Sequence, residues 1–475
     1  MTFEPETIHK NLGTDFFDEV SPAQFPKHIL RYRNQKWAKR VGLDGLTEAE
    51  WLSHFGAFQP MPDSFPKPLA LRYHGHQFRS YNPDLGDGRG FLFAQMRDLE
   101  DQRLLDFGTK GSGQTPWSRQ GDGRLTLKGG VREILATEML EALGVNTSKT
   151  FSIVETGEDL QRGDEPSPTR SAVMVRLSHS HIRIGSFQRQ ATLKRPDNIE
   201  KLIDHAITHY MPDVWHDNLE ERVLAFLKQV TVNVAKTGAE WTAAGFVHGV
   251  LNTDNINVTG ESFDYGPWRF LPNYDPAFTA AYFDSTGLYS FGRQPETLLW
   301  NLARLAECFL DFTTSEKLEE ALSGFWSEFQ NHLATKLCSR FAIAPKEDSN
   351  KTEQTMSLLR ALIEFWTQTQ ASYEQTLFDL RGGLSDPNRL SRSPNADHYS
   401  SKFFEPVRIL LANQFSTPDM DCLAHSYFQR EAPRTMLIDE VEAIWAPIAE
   451  ADDWSLFDQT MKEISDMHDA YAKAV

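Results

Sequence analysis

The chain has 475 residues, with 48 Lys or Arg against 66 Asp or Glu and a formal charge of −18. Apolar residues at 40% and 11 Trp exclude a disordered or collagen-like chain, and the length suggests about three packed units, or two lobes plus an extension. The acidic balance argues against wrapping nucleic acid, because phosphate neutralisation draws on clustered Lys and Arg.

Residues Met1 to Phe17 lack an apolar or Arg-rich targeting pattern, and nowhere do about 18 apolar residues run together. The expectation is a cytoplasmic protein with no membrane contact. Cys308, Cys338 and Cys422 form no CxxC pair, which fits buried thiols in a reducing compartment.

From Met1 to about Pro68 the pattern is mixed, and the basic patch Arg31, Arg33, Lys36, Lys39 and Arg40 reads as a solvated helix face. Between about Leu69 and Phe187 the chain turns glycine-rich and strand-like. Phe91 to Arg97 and Arg103 to Lys110 flank the polar turn Asp98 to Gln102, which predicts an antiparallel hairpin ending at Lys110. Val131, Ile134, Leu135, Met139 and Leu143 keep helical spacing, and Gly144 is a plausible stop. Strands are predicted again at Phe151 to Glu155 and Ser171 to Leu177.

Beyond Arg195 amphipathic helical periodicity dominates: Asn198 to Tyr210, Leu219 to Trp241, Glu296 to Phe312 and Glu316 to Leu337. Phe246 to Pro276 reads as loops with a short hairpin. The tail from about Arg381 mixes a polar loop, Ser385 to Ser400, with two helical stretches.

Gly86-Asp-Gly88-Arg89 and Gly121-Asp122-Gly123-Arg124 repeat one tetrapeptide beside predicted strands. Glycine lets backbone amides approach a phosphate and the arginine adds charge, although tight turns use the same residues. Lys110 at a strand end, followed by Glu133 on a helix, repeats the order in which kinases place their phosphate lysine and its partner acid; a surface ion pair is the plainer reading.

His248 and Asn255 stand seven positions apart, as in the kinase catalytic loop, and Asp264-Tyr265-Gly266 follows where a metal-binding Asp-Phe-Gly would. The kinase base would fall on Val250, which cannot accept a proton; the nearest carboxylate is Asp254. Asp106-Phe107-Gly108 lies before Lys110, on the wrong side of that loop, and reads as strand. Arg176 and Arg183 sit where such a chain crosses to its helical part and could bind phosphate oxygens. His74 with His76, and His179 with His181, place imidazole pairs on strands but show no third zinc ligand.

Together these residues resemble the selenoprotein O, or YdiU, family of kinase-like protein adenylyltransferases. The matching stretches are Gly75 to Phe78, Leu85 to Arg89, Lys110 to Arg119, Gly121 to Arg124, Arg132-Glu133, Arg176 to Arg183, His248 to Asn255, Phe263 to Pro267 and Tyr289 to Pro295. Departures are Arg79 where the family has Gly, Lys128-Gly-Gly130 before Val131, and a last stretch Asp469 to Val475 without the family's Cys or selenocysteine.

The resemblance implies an α+β, two-lobed protein-kinase-like fold with N- and C-terminal extensions: an extension over 1–68, a sheet-rich lobe over 69–190, a helical lobe over 191–380 and a divergent region over 381–475. It implies ATP bound inverted relative to kinases, Mg²⁺ or Mn²⁺, and AMP transfer to Ser, Thr or Tyr hydroxyls of acceptor proteins with release of pyrophosphate. Lys110, Arg176 and Arg183 would hold the phosphates and Glu133 would orient Lys110. Gly86, Gly88, Arg89, Asp122 and Gly123 would line the nucleotide site, Asn255 and Asp264 would bind metal, and Asp254 would be the base. The alternatives are a kinase-like phosphotransferase and a catalytically silent nucleotide-binding pseudokinase.

Overall fold

The computed structural model describes residues 3–163, 165–346, 350–386, 388–417 and 421–472. Among the described residues, short runs of β-branched and aromatic residues in the first 180 positions make an antiparallel sheet of nine strands. Its main path runs Phe17–Glu19, Leu69–Leu71, Leu92–Arg97, Leu104–Lys110, Thr169–Ser178, Lys149–Leu160, Ile29–Arg33. The predicted hairpin is present, with Leu92–Arg97 on Leu104–Lys110. Thr169–Ser178 lies beside the lysine strand with Met174 opposite Lys110 and Arg176 opposite Gly108.

Both faces of this sheet are covered, so its central strands are buried along their length rather than alternating with solvent. Phe93, Phe107, Phe151 and Val175 pack with Trp51 and Phe55 on one face. Ala172, Met174 and Ile153 pack on the other with Val131, Ile134 and Leu135 of the helix Leu127–Ala142. That helix begins four residues before the predicted first apolar position, because Thr126 caps the amide of Gly129. Gly144 follows its end at φ +78°, as the stop required.

The N-terminal 68 residues contribute the strands Pro5–Glu6, Phe17–Glu19 and Ile29–Arg33 to the same sheet. The basic patch is therefore split: Arg31 and Arg33 lie on the strand, while Lys36, Lys39 and Arg40 lie on the helix Gln35–Arg40, where Lys36 and Lys39 are exposed as expected of a solvated face. Arg31 pairs with Glu155 at 2.6 Å and Asp452 at 3.0 Å, Lys36 with Glu141 at 3.2 Å, and Arg40 with Asp98 at 2.5 Å. The change from strand to helix at Asn34 and carboxylates from distant segments split a run of charges that looks continuous in sequence.

Helices dominate the remainder. Ile184–Thr192 is helical although its first residues fall in the stretch expected to be strand-like; Pro196–Tyr210 and Leu219–Ala244 follow as predicted. Gln294–Ala306 ends in a short 3₁₀ turn, and the expected helix Glu316 to Leu337 is two, Ser315–Leu322 and Phe325–Phe341, broken at Ser323-Gly324. Within the tail, the predicted polar loop Ser385 to Ser400 contains short helical turns at Arg389–Arg392 and Ala396–Tyr399. Its longer helices are Glu405–Gln414, Ile438–Ala451 and Ser455–Ala472. The last of these packs against Leu127–Ala142. Among the described residues no helix is long and apolar enough to cross a membrane. Cys308 and Cys422 are buried and Cys338 is half-buried.

Candidate active site

Where the end of the sheet meets the helices, a cleft of about 530 Å³ opens. Gly86, Gly88, Arg89, Lys110, Asp122, Gly123, Arg176, Arg183, Asp254, Asn255 and Asp264 all line it. These sequence-predicted residues come from segments up to 178 positions apart, so the fold assembles what the sequence only ordered.

Glu133 is the exception: it is buried behind Lys110 rather than on the cleft wall. Its Oε2 accepts a hydrogen bond from Lys110 Nζ at 2.7 Å, and Asp264 Oδ1 lies 3.1 Å from the same ammonium. Arg176 reaches Asp264 Oδ1 at 3.3 Å and Glu133 Oε1 at 3.8 Å. Two cations and two carboxylates thus form one quartet, buried at Lys110, Glu133 and Arg176 and partly open to the cleft at Asp264, which overturns the surface-pair reading of Lys110 and Glu133. Burial alone would raise the Asp264 carboxyl, yet Lys110, Arg176, Arg183 and Arg89 hold it well below the usual carboxylate range.

Arg183 closes the opposite wall. Its guanidinium donates to the Asp254 carbonyl at 3.1 Å and to Asp87 Oδ1 at 3.3 Å. Burial opposes its charge, but Tyr73, Asp87, Asp264 and Asp254 hold its pKa above the ordinary value. The guanidinium lies 4.3 Å from the Tyr73 ring centre and 5.0 Å from that of Phe263, which also carries Arg176 at 5.1 Å. One aromatic ring therefore spaces both arginines.

The loop from His248 to Asn255 is fixed from several sides. The short hairpin of Phe246–His248 with Trp268–Phe270 anchors its start, as the sequence suggested. His248 is buried, which lowers its pKa, and its neutral ring bridges two segments: Nε2 meets the Phe263 carbonyl at 3.1 Å while Val250 N–H donates to Nδ1 at 3.3 Å. Asn252 Oδ1 accepts from Phe78 N–H and from Tyr289 OH, and Thr253 Oγ1 accepts from His76 N–H. Asp254 follows in a single 3₁₀ turn, Thr253–Asn255.

Asp254 is the unusual group. It is 7% exposed, and Oδ1 has no hydrogen-bond partner among the described residues. Burial pushes its pKa up to about 6 against the pull of Arg183. Val250 lines the same cleft, so an acid is missing at the kinase position and present four residues later.

The glycines have a packing role that the phosphate reading did not anticipate. A Cβ on Gly86 would lie 2.4 Å from the Trp117 ring, and one on Gly88 2.7 Å from the Trp117 carbonyl. The loop before the hairpin and the loop after Lys110 therefore touch backbone to backbone and form one floor. Asp122 takes Arg162 at 2.8 Å at its rim.

Asn255 and Asp264 fit a hard divalent cation. Asn255 Nδ2 donates to the Val250 carbonyl at 3.0 Å, which leaves the amide oxygen as an acceptor, and Asp264 remains ionised. Among the described residues no group of three or more His, Cys, Asp or Glu could hold a metal, so phosphate oxygens and water would complete the shell. One histidine of each imidazole pair is engaged with a protein partner. His76 meets Gln188, and His181 meets Asp106, whose Asp-Phe-Gly run lies within the strand Leu104–Lys110.

Sequence reasoning missed Asp87, Asn252, Trp117 and Phe263 as parts of this wall. All four lie inside recognised stretches, Leu85 to Arg89, Lys110 to Arg119, His248 to Asn255 and Phe263 to Pro267, but nothing in the sequence assigns them a role in the cleft.

An acidic chain that collects buried cations and a lone raised carboxylate in one cleft has the makings of a phosphate-handling enzyme. Comparison with known proteins gives the class. The chain is 41% identical over 482 residues to a protein nucleotidyltransferase YdiU of Trichodesmium erythraeum, covering 98% of each. The YdiU of a Synechocystis species is 42% identical over 483 residues, again 98% of each, and that of Bradyrhizobium diazoefficiens 31% over 480 residues, 98% of this chain and 93% of the relative. The protein is a nucleotidyltransferase. More narrowly, the family model described as protein adenylyltransferase SelO matches residues 1–465, and the chain belongs to that family.

Proposed function

We propose that this enzyme transfers AMP from ATP to Ser, Thr or Tyr hydroxyls of acceptor proteins and releases pyrophosphate. In this reading the fold serves as a two-lobed kinase-like frame, and ATP lies inverted relative to kinases. The observation that carries it is the pairing of Val250 at the kinase base position with a buried Asp254, whose Oδ1 has no hydrogen-bond partner among the described residues, in the same cleft as Arg176 and Arg183.

Lys110, Arg176 and Arg183 grip the β- and γ-phosphates. Glu133 holds Lys110 in place, and permanent cations stabilise charge that grows on departing pyrophosphate. Gly86, Gly88, Arg89, Asp122 and Gly123 line the nucleotide. Asn255 and Asp264 would hold Mg²⁺ or Mn²⁺, which when bound neutralises phosphate oxygens. Asp254 takes the proton from the acceptor hydroxyl as its oxygen bonds to the α-phosphorus and the bond to the pyrophosphate oxygen breaks. A pKa of about 6 leaves that carboxylate mostly ionised at neutral pH and still basic enough to accept a proton.

Parallel incubations with [α-³²P]ATP and [γ-³²P]ATP test this. Label from the α position should enter acceptor protein and label from the γ position should leave as pyrophosphate. Label entering from the γ position alone would instead make the enzyme a phosphotransferase.

A further inference from the structure

Three large aromatic side chains stand in solvent beside the Asp254 loop. Phe78 is 38% exposed, Phe283 47% and Tyr282 88%. Phe78 and Phe283 meet edge to face at 5.8 Å, and Tyr282 packs on Phe283 at 5.2 Å. They make one patch rather than scattered surface residues.

Phe78 and Arg79 form the tip of a two-residue hairpin, with Gln77 paired to Ser80. Both have positive φ, +49° and +64°. A turn of this kind strongly favours Asn-Gly or Gly, because side chains there are strained. A bulky Phe-Arg pair at these positions therefore carries a cost that turn formation does not need. Strain retained at such a place points to what the two side chains do outside the turn.

The root of the same hairpin lies at the reacting end of the cleft. A Cβ on Gly75 would sit 2.8 Å from Asp254 Oδ1, and Phe78 N–H donates to Asn252 Oδ1 at 3.1 Å. Three residues of strand separate Gly75 from Phe78, about 10 Å. The opposing side is also firmly held: Asp284, buried, accepts the amides of Leu288 and Tyr289 at 2.9 and 2.8 Å, fixing the turn that carries Phe283. Arg79 is exposed and has no ion pair among the described residues; its guanidinium lies 5.4 Å from the Trp300 ring.

We infer that Phe78, Phe283 and Arg79 form the acceptor-docking platform of this enzyme, taking an extended polypeptide that carries a large apolar residue and an acidic residue about three positions from the modified hydroxyl. The apolar residue covers the exposed rings, and the carboxylate meets the free guanidinium. Continuity with the Asp254 loop singles out the acceptor as the occupant. The inference rests on the AMP-transfer reading above.

The test uses the full chain, [α-³²P]ATP, casein as a general acceptor, and synthetic peptides with one central Ser, Thr or Tyr. The peptides carry Leu or Gly, and Asp or Lys, about three residues to either side. The wild type should favour the Leu and Asp peptide over the Gly and Lys peptide about tenfold in kcat/KM. Phe283→Ser should abolish the Leu preference, and Arg79→Glu should invert the Asp-over-Lys preference. Pyrophosphate release with water as the only acceptor, ATP and water giving AMP and pyrophosphate, should stay within about twofold of wild type in both variants, because neither residue lines the nucleotide cleft.

Label on casein together with equal labelling of all peptides, or preferences unchanged in the variants, overturns the platform and leaves AMP transfer standing. Concentration-dependent self-association that Phe283→Ser removes, with peptide preference intact, assigns the patch to a second copy and also overturns it. Absence of α-label on casein and peptides alike overturns both readings.

Discussion

Replacing Asp254 by asparagine should inactivate the enzyme and stabilise it at once. The Asp254 pKa rises from 3.8 to about 6 because burial disfavours the charge. A group whose pKa is raised by folding contributes fully below its unfolded value, and that contribution is lost as pH climbs through the folded one. At neutral pH the ionised carboxylate therefore costs the fold about 3 kcal/mol relative to its protonated form. The Asp254→Asn side chain would keep the shape without the charge. We expect a gain of about 1–3 kcal/mol at pH 7.5, fading below pH 4, read by denaturant unfolding across pH. Transfer should fall about 10²–10⁴-fold, the usual contribution of a positioned base, while ATP affinity stays within about threefold. In the wild type, kcat/KM should rise with pH through about 6 and then level, with ATP binding measured at each pH to correct for titration of the nucleotide. Retained transfer in the Asp254→Asn variant would refute the base assignment. A variant less stable than wild type at pH 7.5 would refute a buried carboxylate whose desolvation outweighs the pull of Arg183.

Lys110→Ala should cost about 3–5 kcal/mol in chemical unfolding, since it leaves the buried Glu133 carboxylate with only Arg176 at 3.8 Å, and should abolish ATP binding by calorimetry. Asp264→Asn should remove metal-dependent transfer. Because the Asp264 carboxyl is held well below 3.8, its stabilisation is present above that pH and lost beneath it, so the variant should show a flatter acid-unfolding profile than wild type. Gly86→Ala should raise KM for ATP about tenfold or more and shift Trp fluorescence, because its Cβ would meet the Trp117 ring at 2.4 Å; Gly45→Ala, with no atom within 4 Å, should change neither.

Local pattern made the hairpin, the Glu133 helix and the His248 loop legible. Polar turn residues fixed the first, a 3.6-residue period the second, and seven-residue spacing the third. Register across the sheet was not legible. Nothing near Arg176 says that Met174 lies opposite Lys110, yet that pairing puts the guanidinium 3.3 Å from Asp264. The Ser323-Gly324 break was hidden because apolar spacing continues on both sides of it. The basic run from Arg31 to Arg40 misled in part for a related reason: its carboxylate partners, Glu141, Glu155, Asp98 and Asp452, are supplied by distant segments. Glycines 86 and 88 were legible as special positions but not for their packing role, since Trp117 reaches them only through the folded loop.

The cleft also resolves the tension between an acidic chain and an anionic substrate. Seven Lys or Arg side chains line it, Arg89, Lys110, Arg119, Arg124, Arg162, Arg176 and Arg183, against four Asp, while the whole chain carries −18. Field lines from the basic lining are confined by buried walls, so a compact polyphosphate gains from them. An extended polyanion that also had to lie along the acidic exterior would be repelled by it. Local sign reversal therefore suits the cleft to the compact polyphosphate that a nucleotidyltransferase handles. If that is the discriminating force, raising salt should weaken ATP binding only modestly, because the triphosphate is gripped inside the screened distance, at contacts of the kind that hold Asp264 to Lys110 at 3.1 Å. A steep loss of ATP affinity between low and physiological salt would place the recognition on the rim arginines, Arg124 and Arg162, instead of on the buried Lys110, Arg176 and Arg183.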